Sequence, residues 1–153
     1  MIRLLACLAL FVPVGAGAQT VTGCDGRASP ENIPEPWDET TRSFANGKVR
    51  VALVDTGSPA AGPFYLLVLL PSAIAGEGDR DCVLVGWTRS AGFVSLDFAG
   101  MEPSYDPATG LSLGLAARFY DAALDFSNVG ILDVVINQTS GEVRAGFTVT
   151  GRD

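Results

Sequence analysis

The sequence predicts a single all-β domain, a sandwich-like stack of antiparallel strands, and three observations carry that expectation. Short apolar runs recur from Phe44 onward, clusters of Gly, Pro, Asn and Asp separate them, and within most runs apolar residues alternate with polar ones. A period of two is what a strand shows when one face is buried and the other meets water. Seven such runs at regular spacing argue for a sandwich or barrel.

The seven candidate strands cover residues 48–54, 64–70, 82–87, 93–99, 111–119, 131–137 and 143–149. The first alternates Val49, Val51 and Leu53 after Ala45-Asn46-Gly47, whose Asn and Gly accept the positive φ of a tight hairpin turn. The second, from Phe64 to Leu70, is continuously apolar and closed by Pro71, the pattern of a strand buried on both faces or in a sandwich core. Residues 82–87 form a short run, and 93–99 sets Val94, Leu96 and Phe98 against Ser95 and Asp97.

Beyond the turn at 105–110, Leu111, Leu113, Leu115, Ala117 and Phe119 alternate with Ser112, Gly114, Ala116 and Arg118. The last two runs flank Gln138-Thr139-Ser140-Gly141 as a hairpin. Residues 115–126 offer a competing helix through Ala116, Ala117, Ala122 and Ala123, against which Gly110, Gly114 and Gly130 weigh. Residues 19–42 read as an irregular strap. Pro30, Pro34 and Pro36 oppose any regular ladder or helix, and Trp37 is the large apolar residue expected to dock it on the core.

Ahead of the strap lies an export signal. Arg3 precedes eleven apolar residues, 4–14, too few for the roughly 20 that cross a bilayer. Pro13 and Gly15 end the run, and Ala16-Gly17-Ala18 has the small residues that a signal peptidase reads, which sets the expected cut between Ala18 and Gln19. The organisation is then a signal peptide over 1–18 and one β-rich domain over 19–153, periplasmic or secreted, with no transmembrane segment in the mature chain. A second reading takes Val21-Thr22-Gly23-Cys24 as a lipoprotein box with an acylated Cys24.

Charge narrows the partners. The chain carries −7, and loss of residues 1–18 removes Arg3 and no acid, leaving −8. Such a surface repels nucleic acid and anionic headgroups, which bind through Lys and Arg. Nine of the ten basic residues are Arg. Together with abundant Ala, Gly and Val this suggests a GC-rich bacterial gene, which would make the compartment periplasmic. Two cysteines remain after the cut, Cys24 and Cys82, and an even pair in an oxidising compartment predicts a disulfide. Closing a loop of this length stabilises by about 4 kcal/mol in the chain-entropy account.

The chain has no His, which removes Ser-His-Asp and Cys-His nucleophilic sites and imidazole-held zinc. Asp55-Thr56-Gly57-Ser58, at the end of the apolar stretch 51–54, resembles the active-site turn of aspartic peptidases. The resemblance covers those four residues. It implies Asp55 as a catalytic carboxylate that must meet a second copy across a dimer, the pair sharing one proton. The family's bracing apolar pair before a Gly has its nearest match in Leu84-Val85-Gly86, close behind Asp55 in sequence. The alternative is that Asp and Gly simply turn the chain after a strand.

Glu77, Asp79 and Asp81 alternate around Arg80, a solvated acidic turn or a loop of oxygen ligands for calcium. Asn137-Gln138-Thr139 is formally a glycosylation sequon at a hairpin tip. The expectation that follows is an exported, non-enzymatic β-domain with a binding or envelope-associated role, without cofactor or metal. The aspartic peptidase and the lipoprotein are its alternatives.

Overall fold

A computed structural model describes residues 17–152 apart from 75, 77 and 124. The apolar run of the expected leader therefore lies outside the described residues. The strands are β1 (Gly17–Ala18), β2 (Thr20–Gly23), β3 (Thr41–Phe44), β4 (Val49–Asp55), β5 (Phe64–Pro71), β6 (Arg80–Gly86), β7 (Ser95–Leu96), β8 (Glu102–Asp106), β9 (Gly110–Asp121), β10 (Phe126–Asn137) and β11 (Glu142–Arg152). They form two antiparallel sheets. One runs β2-β6-β5-β4-β3; the other runs β1-β11-β10-β9-β7, with β8 sharing the outer edge of β9 beside β7. The all-β sandwich expected from the runs is the architecture found.

The core between the sheets follows from the two-residue period. Leu111, Leu113, Leu115, Ala117 and Phe119 of β9 face Leu132, Val134 and Ile136 of β10 on the same side, and Val49, Val51, Leu66, Val68 and Leu70 meet them from the other sheet. Their alternates on β9 and β10 point to water or to a half-buried outer face. Each fully buried Leu or Val contributes about 1.5–3 kcal/mol relative to its exposed state. The helix alternative for 115–126 is not taken: β9 continues to Asp121, the chain turns, and β10 starts at Phe126. Across that hairpin the register runs unbroken from Phe126 opposite Asp121 to Ile136 opposite Leu111.

The continuous apolar run is the exception that the sequence singles out. In β5, Leu66, Val68 and Leu70 point into the sandwich while Tyr65 and Leu67 point out, and both sets are buried. A second cluster explains it: Ala52, Val54, Tyr65, Leu67 and Leu84 on the outer face are covered by Ala28, Ile33, Cys24 and Cys82. The strap is thus a third layer over the five-stranded sheet.

Three expectations about this strap and its surroundings need correction. Its prolines do not keep it from pairing. Residues before and after them form β2, on the edge of β6, and β3, on the edge of β4, because the prolines fall between the two strands. Between these edges lie two short 3-10 turns and one helical turn, Trp37–Thr40. Trp37 does not dock the strap; it is 55% exposed on that helical turn, and the smaller Ala28 and Ile33 make the contact. The run at 93–99 pairs as a strand only at Ser95–Leu96. There the chain crosses between sheets: Phe93 bridges Phe64 of one, and the Val94 and Asp97 N–H groups donate to Arg118 and Ala116 carbonyls of the other.

The hairpin turns follow their sequences. At 45–48, Ala45, Asn46 and Gly47 all have positive φ, and the Gly47 N–H donates to the Phe44 carbonyl at 3.0 Å. At the β10–β11 tip the Asn137 side-chain oxygen accepts from the Thr139 and Ser140 N–H groups at 3.0 and 3.1 Å. Asn137 therefore caps the turn, as its residue type predicts.

Candidate functional site

Cys24 and Cys82 are bonded, with Cα atoms 5.4 Å apart. The pairing is prepared by the backbone, since β2 runs antiparallel to β6 with Gly23 opposite Val83, and the Cys24 N–H donates to the Cys82 carbonyl at 3.1 Å. The next residues anchor the strap further. The Asp25 carboxylate accepts from the Arg27 N–H and guanidinium at 2.7–3.1 Å. Hydrogen bonding from the Arg27 side chain holds the Asp25 carboxyl down at about 2. The same guanidinium reaches the Arg89 carbonyl at 3.1 Å and lies 4.9 Å from the centroid of the Tyr65 ring. One arginine thus ties the strap to its own turn, to a distant loop and to the sheet face beneath.

Asp55 ends β4, opposite Phe64 of β5. Its Oδ1 accepts from the Gly57 N–H at 2.8 Å, and Gly57 has φ +64°. The Thr56 N–H and hydroxyl both donate to the Pro63 carbonyl, at 3.0 and 3.2 Å. The Asp-Thr-Gly turn is closed by its own bonds, as the turn reading expects. Leu84, Val85 and Gly86 lie in β6, separated from β4 by β5, and so do not brace this loop.

Of the acidic trio, Glu77 lies outside the described residues. Among the described residues no three Asp, Glu, His or Cys side chains gather as a metal group. Arg80, between Asp79 and Asp81, donates to the carbonyls of Lys48 and Gly47 at 2.8 and 3.1 Å and so clamps the β3–β4 hairpin tip.

The feature that sequence reasoning missed is a cleft at the end of the sandwich where the Asp55 turn lies. Residues from 59–62, 87–94 and 120–123 converge there on a slot of about 670 Å³. That is the size of a small-ligand pocket. Its aromatic wall is Trp87, stacked on Phe119 with ring centroids 3.3 Å apart and edge-on to Phe147 at 5.8 Å. Phe147 in turn meets Phe119 at 5.3 Å and Phe93 at 6.3 Å, so the wall is backed by the core and cannot rotate freely.

Gly62 and Gly92 leave the slot open by bringing two backbones together: the Gly92 N–H donates to the Gly62 carbonyl at 3.1 Å, and a Cβ on either would strike the other's loop. The rim holds Tyr120, whose hydroxyl donates to Asp125 Oδ1 at 2.6 Å. That bond to a carboxylate pushes the Tyr120 hydroxyl above its ordinary value. Asp121 stands next to it. An apolar slot with rigid aromatic backing and an acidic rim suits a flat apolar group that carries a cation or a hydrogen-bond donor.

The opposite end carries a larger, more polar groove of about 830 Å³ among the hairpin tips, with Lys48, Tyr105 and Gln138 around it. Of the two cations around it, Arg80 is already engaged with the Lys48 and Gly47 backbone carbonyls. Sequence reading misses the apolar slot because its residues come from three separate loops and include no motif. The one local hint is Trp87, which ends the apolar run 82–87 and lies just past the end of β6. Comparison with known proteins finds no family model, characterised protein or solved structure that matches this chain. Among the described residues no helix is long and apolar enough to cross a membrane.

Proposed function

We propose that the chain is an exported, periplasmic or secreted binding domain rather than an enzyme, with residues 1–18 as its cleaved leader. The observation that carries the export reading is the Cys24–Cys82 bond, since structural disulfides persist in oxidising compartments. It also occupies the sulfur that a lipid thioether at Cys24 would need. For binding rather than catalysis, support comes from the turn at Asp55, whose carboxylate is engaged with its own loop, and from the slot beside Trp87.

Fractionation of cells expressing the whole chain, followed by intact mass and thiol alkylation, tests export. The expected product is extracytoplasmic, begins after Ala18, has no free thiol and carries no acyl group. Cytosolic chain starting at Met1 with three alkylatable cysteines defeats the reading. Binding is tested in Trp37→Phe, which leaves Trp87 as sole tryptophan. Cationic aromatic ligands should quench its emission saturably, and quenching no stronger than that of free tryptophan removes the slot from consideration. The peptidase alternative requires acid proteolysis that disappears in Asp55→Asn; the expected result is none in either protein.

A further inference from the structure

We propose that β11 is a self-association edge: once the leader is removed, two mature copies join their β11 strands antiparallel about Phe147 and form a two-fold dimer. The inference rests on the reading that the leader is cut between Ala18 and Gln19.

A sheet edge invites another strand because its outward N–H and C=O groups lack partners, and folded proteins blunt such edges by keeping them short, by proline or by a cover. Among the described residues three of the four edges are blunted. β2 and β3 have four residues each. The far edge of the six-stranded sheet is divided between β7, two residues long, and β8, which carries Pro103. β11 differs: it runs eleven residues without a proline, and 145–151 carry no charge. Its cover is β1, in which Gly17 pairs with Phe147 and Ala18 with Gly146. Both residues of β1 belong to the leader. Cleavage therefore uncovers a strand that stays laddered to β10 from Glu142 to Arg152.

The occupant follows from the sequence of β11 itself. In the chain that still carries β1, the Ala145 carbonyl accepts from the Gln19 N–H and so points away from β10. By the period of two, the N–H and C=O groups of Val143, Phe147 and Val149 point the same way. The bulge opposite Val129 and Gly130 lies toward the C-terminal end and leaves 142–149 in regular register. A pair that uses the whole strand has its axis at Phe147, the midpoint of 142–152. It sets Ala145 opposite Val149 of the second copy, whose N–H takes over the Ala145 carbonyl from Gln19. Arg144 then falls opposite Thr150, and Glu142 opposite Arg152. No like charges meet, whereas moving the axis one residue to Thr148 would oppose Arg144 to Arg152. On a chain of net charge −7, β11 holds two Arg and one Glu, so a second copy meets no acidic excess along it. Val149 is 53% exposed in the single copy, and the pair gives this apolar side chain a neighbour in Ala145. The interface is isologous, the same strand serving both copies.

The exported chain is purified from the extracytoplasmic fraction, its first residue is read by mass spectrometry, and its molar mass is followed by sedimentation equilibrium against concentration. A chain that begins at Gln19 should show a monomer–dimer equilibrium. Val149→Lys should keep the parent's circular-dichroism spectrum and weaken the dimer about tenfold, because it sets a cation in the join beside Arg144 of the other copy. Gly146 falls opposite Thr148 across the axis, and a Cβ on Gly146 meets nothing within 4 Å. A mixture of Gly146→Cys and Thr148→Cys should therefore form a covalent dimer on mild oxidation, faster than either variant alone. A chain that begins at Gln19 and sediments as a monomer at every concentration overturns the pairing and leaves the cleavage reading intact. So does a dimer that the mixed cysteines fail to link or that Val149→Lys leaves as tight. A product that begins at any other residue overturns the cleavage reading and the pairing with it.

Discussion

Among the described residues, both faces of the five-stranded sheet are covered, by the opposing sheet within and by the strap without, and only the inner face of the six-stranded sheet is. The sequence reports the difference as periodicity. β5 reads as unbroken Phe-Tyr-Leu-Leu-Val-Leu-Leu, since Tyr65 and Leu67 are buried against Ala28 and Ile33. β9 reads as strict alternation, with Ser112, Gly114, Ala116 and Arg118 outside. A break in alternation thus marks a third layer before any contact is known. The two outer faces also differ in how they are held: the covered one depends on a disulfide and an arginine, whereas the open one, among the described residues, relies on its own ladder.

That contrast can be broken most severely at the staple. The double variant Cys24→Ser/Cys82→Ser should lose about 2–5 kcal/mol in denaturant titration and should bind more of an apolar dye, because the strap loosens from the face it covers. An unchanged midpoint would mean that the strap stays in place without its bond. Leucine truncations sharpen the comparison. Leu113→Ala, between the sheets, should cost about 2–5 kcal/mol with or without the disulfide, whereas the cost of Leu67→Ala, nearer 2 kcal/mol, should shrink once the bond is removed. Equal costs in both backgrounds would deny the coupling between strap and sheet.

Smaller effects lie at the strap's polar anchor. Arg27→Ala, which removes the ion pair and the contact over Tyr65, should cost about 1 kcal/mol. Since folding lowers the Asp25 pKa from 3.8 to about 2, this group's contribution is fully present above pH 3.8 and is lost as pH falls through about 2. Thermal melts against Asp25→Asn should therefore converge near pH 2. The gap at neutral pH should be small, because both side chains are partly exposed and screened. Smallest of all, Ala116→Lys on the open face of the six-stranded sheet should shift stability by no more than about 0.5 kcal/mol. A larger loss would reveal that this face is covered in the folded protein.

The long strands and their turns were legible because a strand's burial is written into adjacent residues. The strap was legible as covering material, but its attachment was not. Trp37 drew attention by size, yet what decides docking is the position that β2 and the disulfide impose, which brings Ala28 and Ile33 over Tyr65 and Leu67. β8 was invisible for a similar reason. Its residues Glu102–Asp106 are all exposed, so nothing in Glu-Pro-Ser-Tyr-Asp alternates, and Pro103 is tolerated on an edge. The slot beside Trp87 depends on loops brought together by both sheets, and no local pattern encodes that meeting. The Cys24–Cys82 pair was legible from count alone, because only one pairing remains once the leader's cysteine is set aside.

The staple also has a mechanical meaning. Cys24 and Cys82 are 58 positions apart and enclose β3, β4 and β5. If the molecule is pulled by its two ends, tension crosses the sulfur bridge directly and never travels through that enclosed stretch. Under load the six-stranded sheet would give way by peeling, while three of the five strands of its neighbour stayed wound up as slack that only a reductant could release.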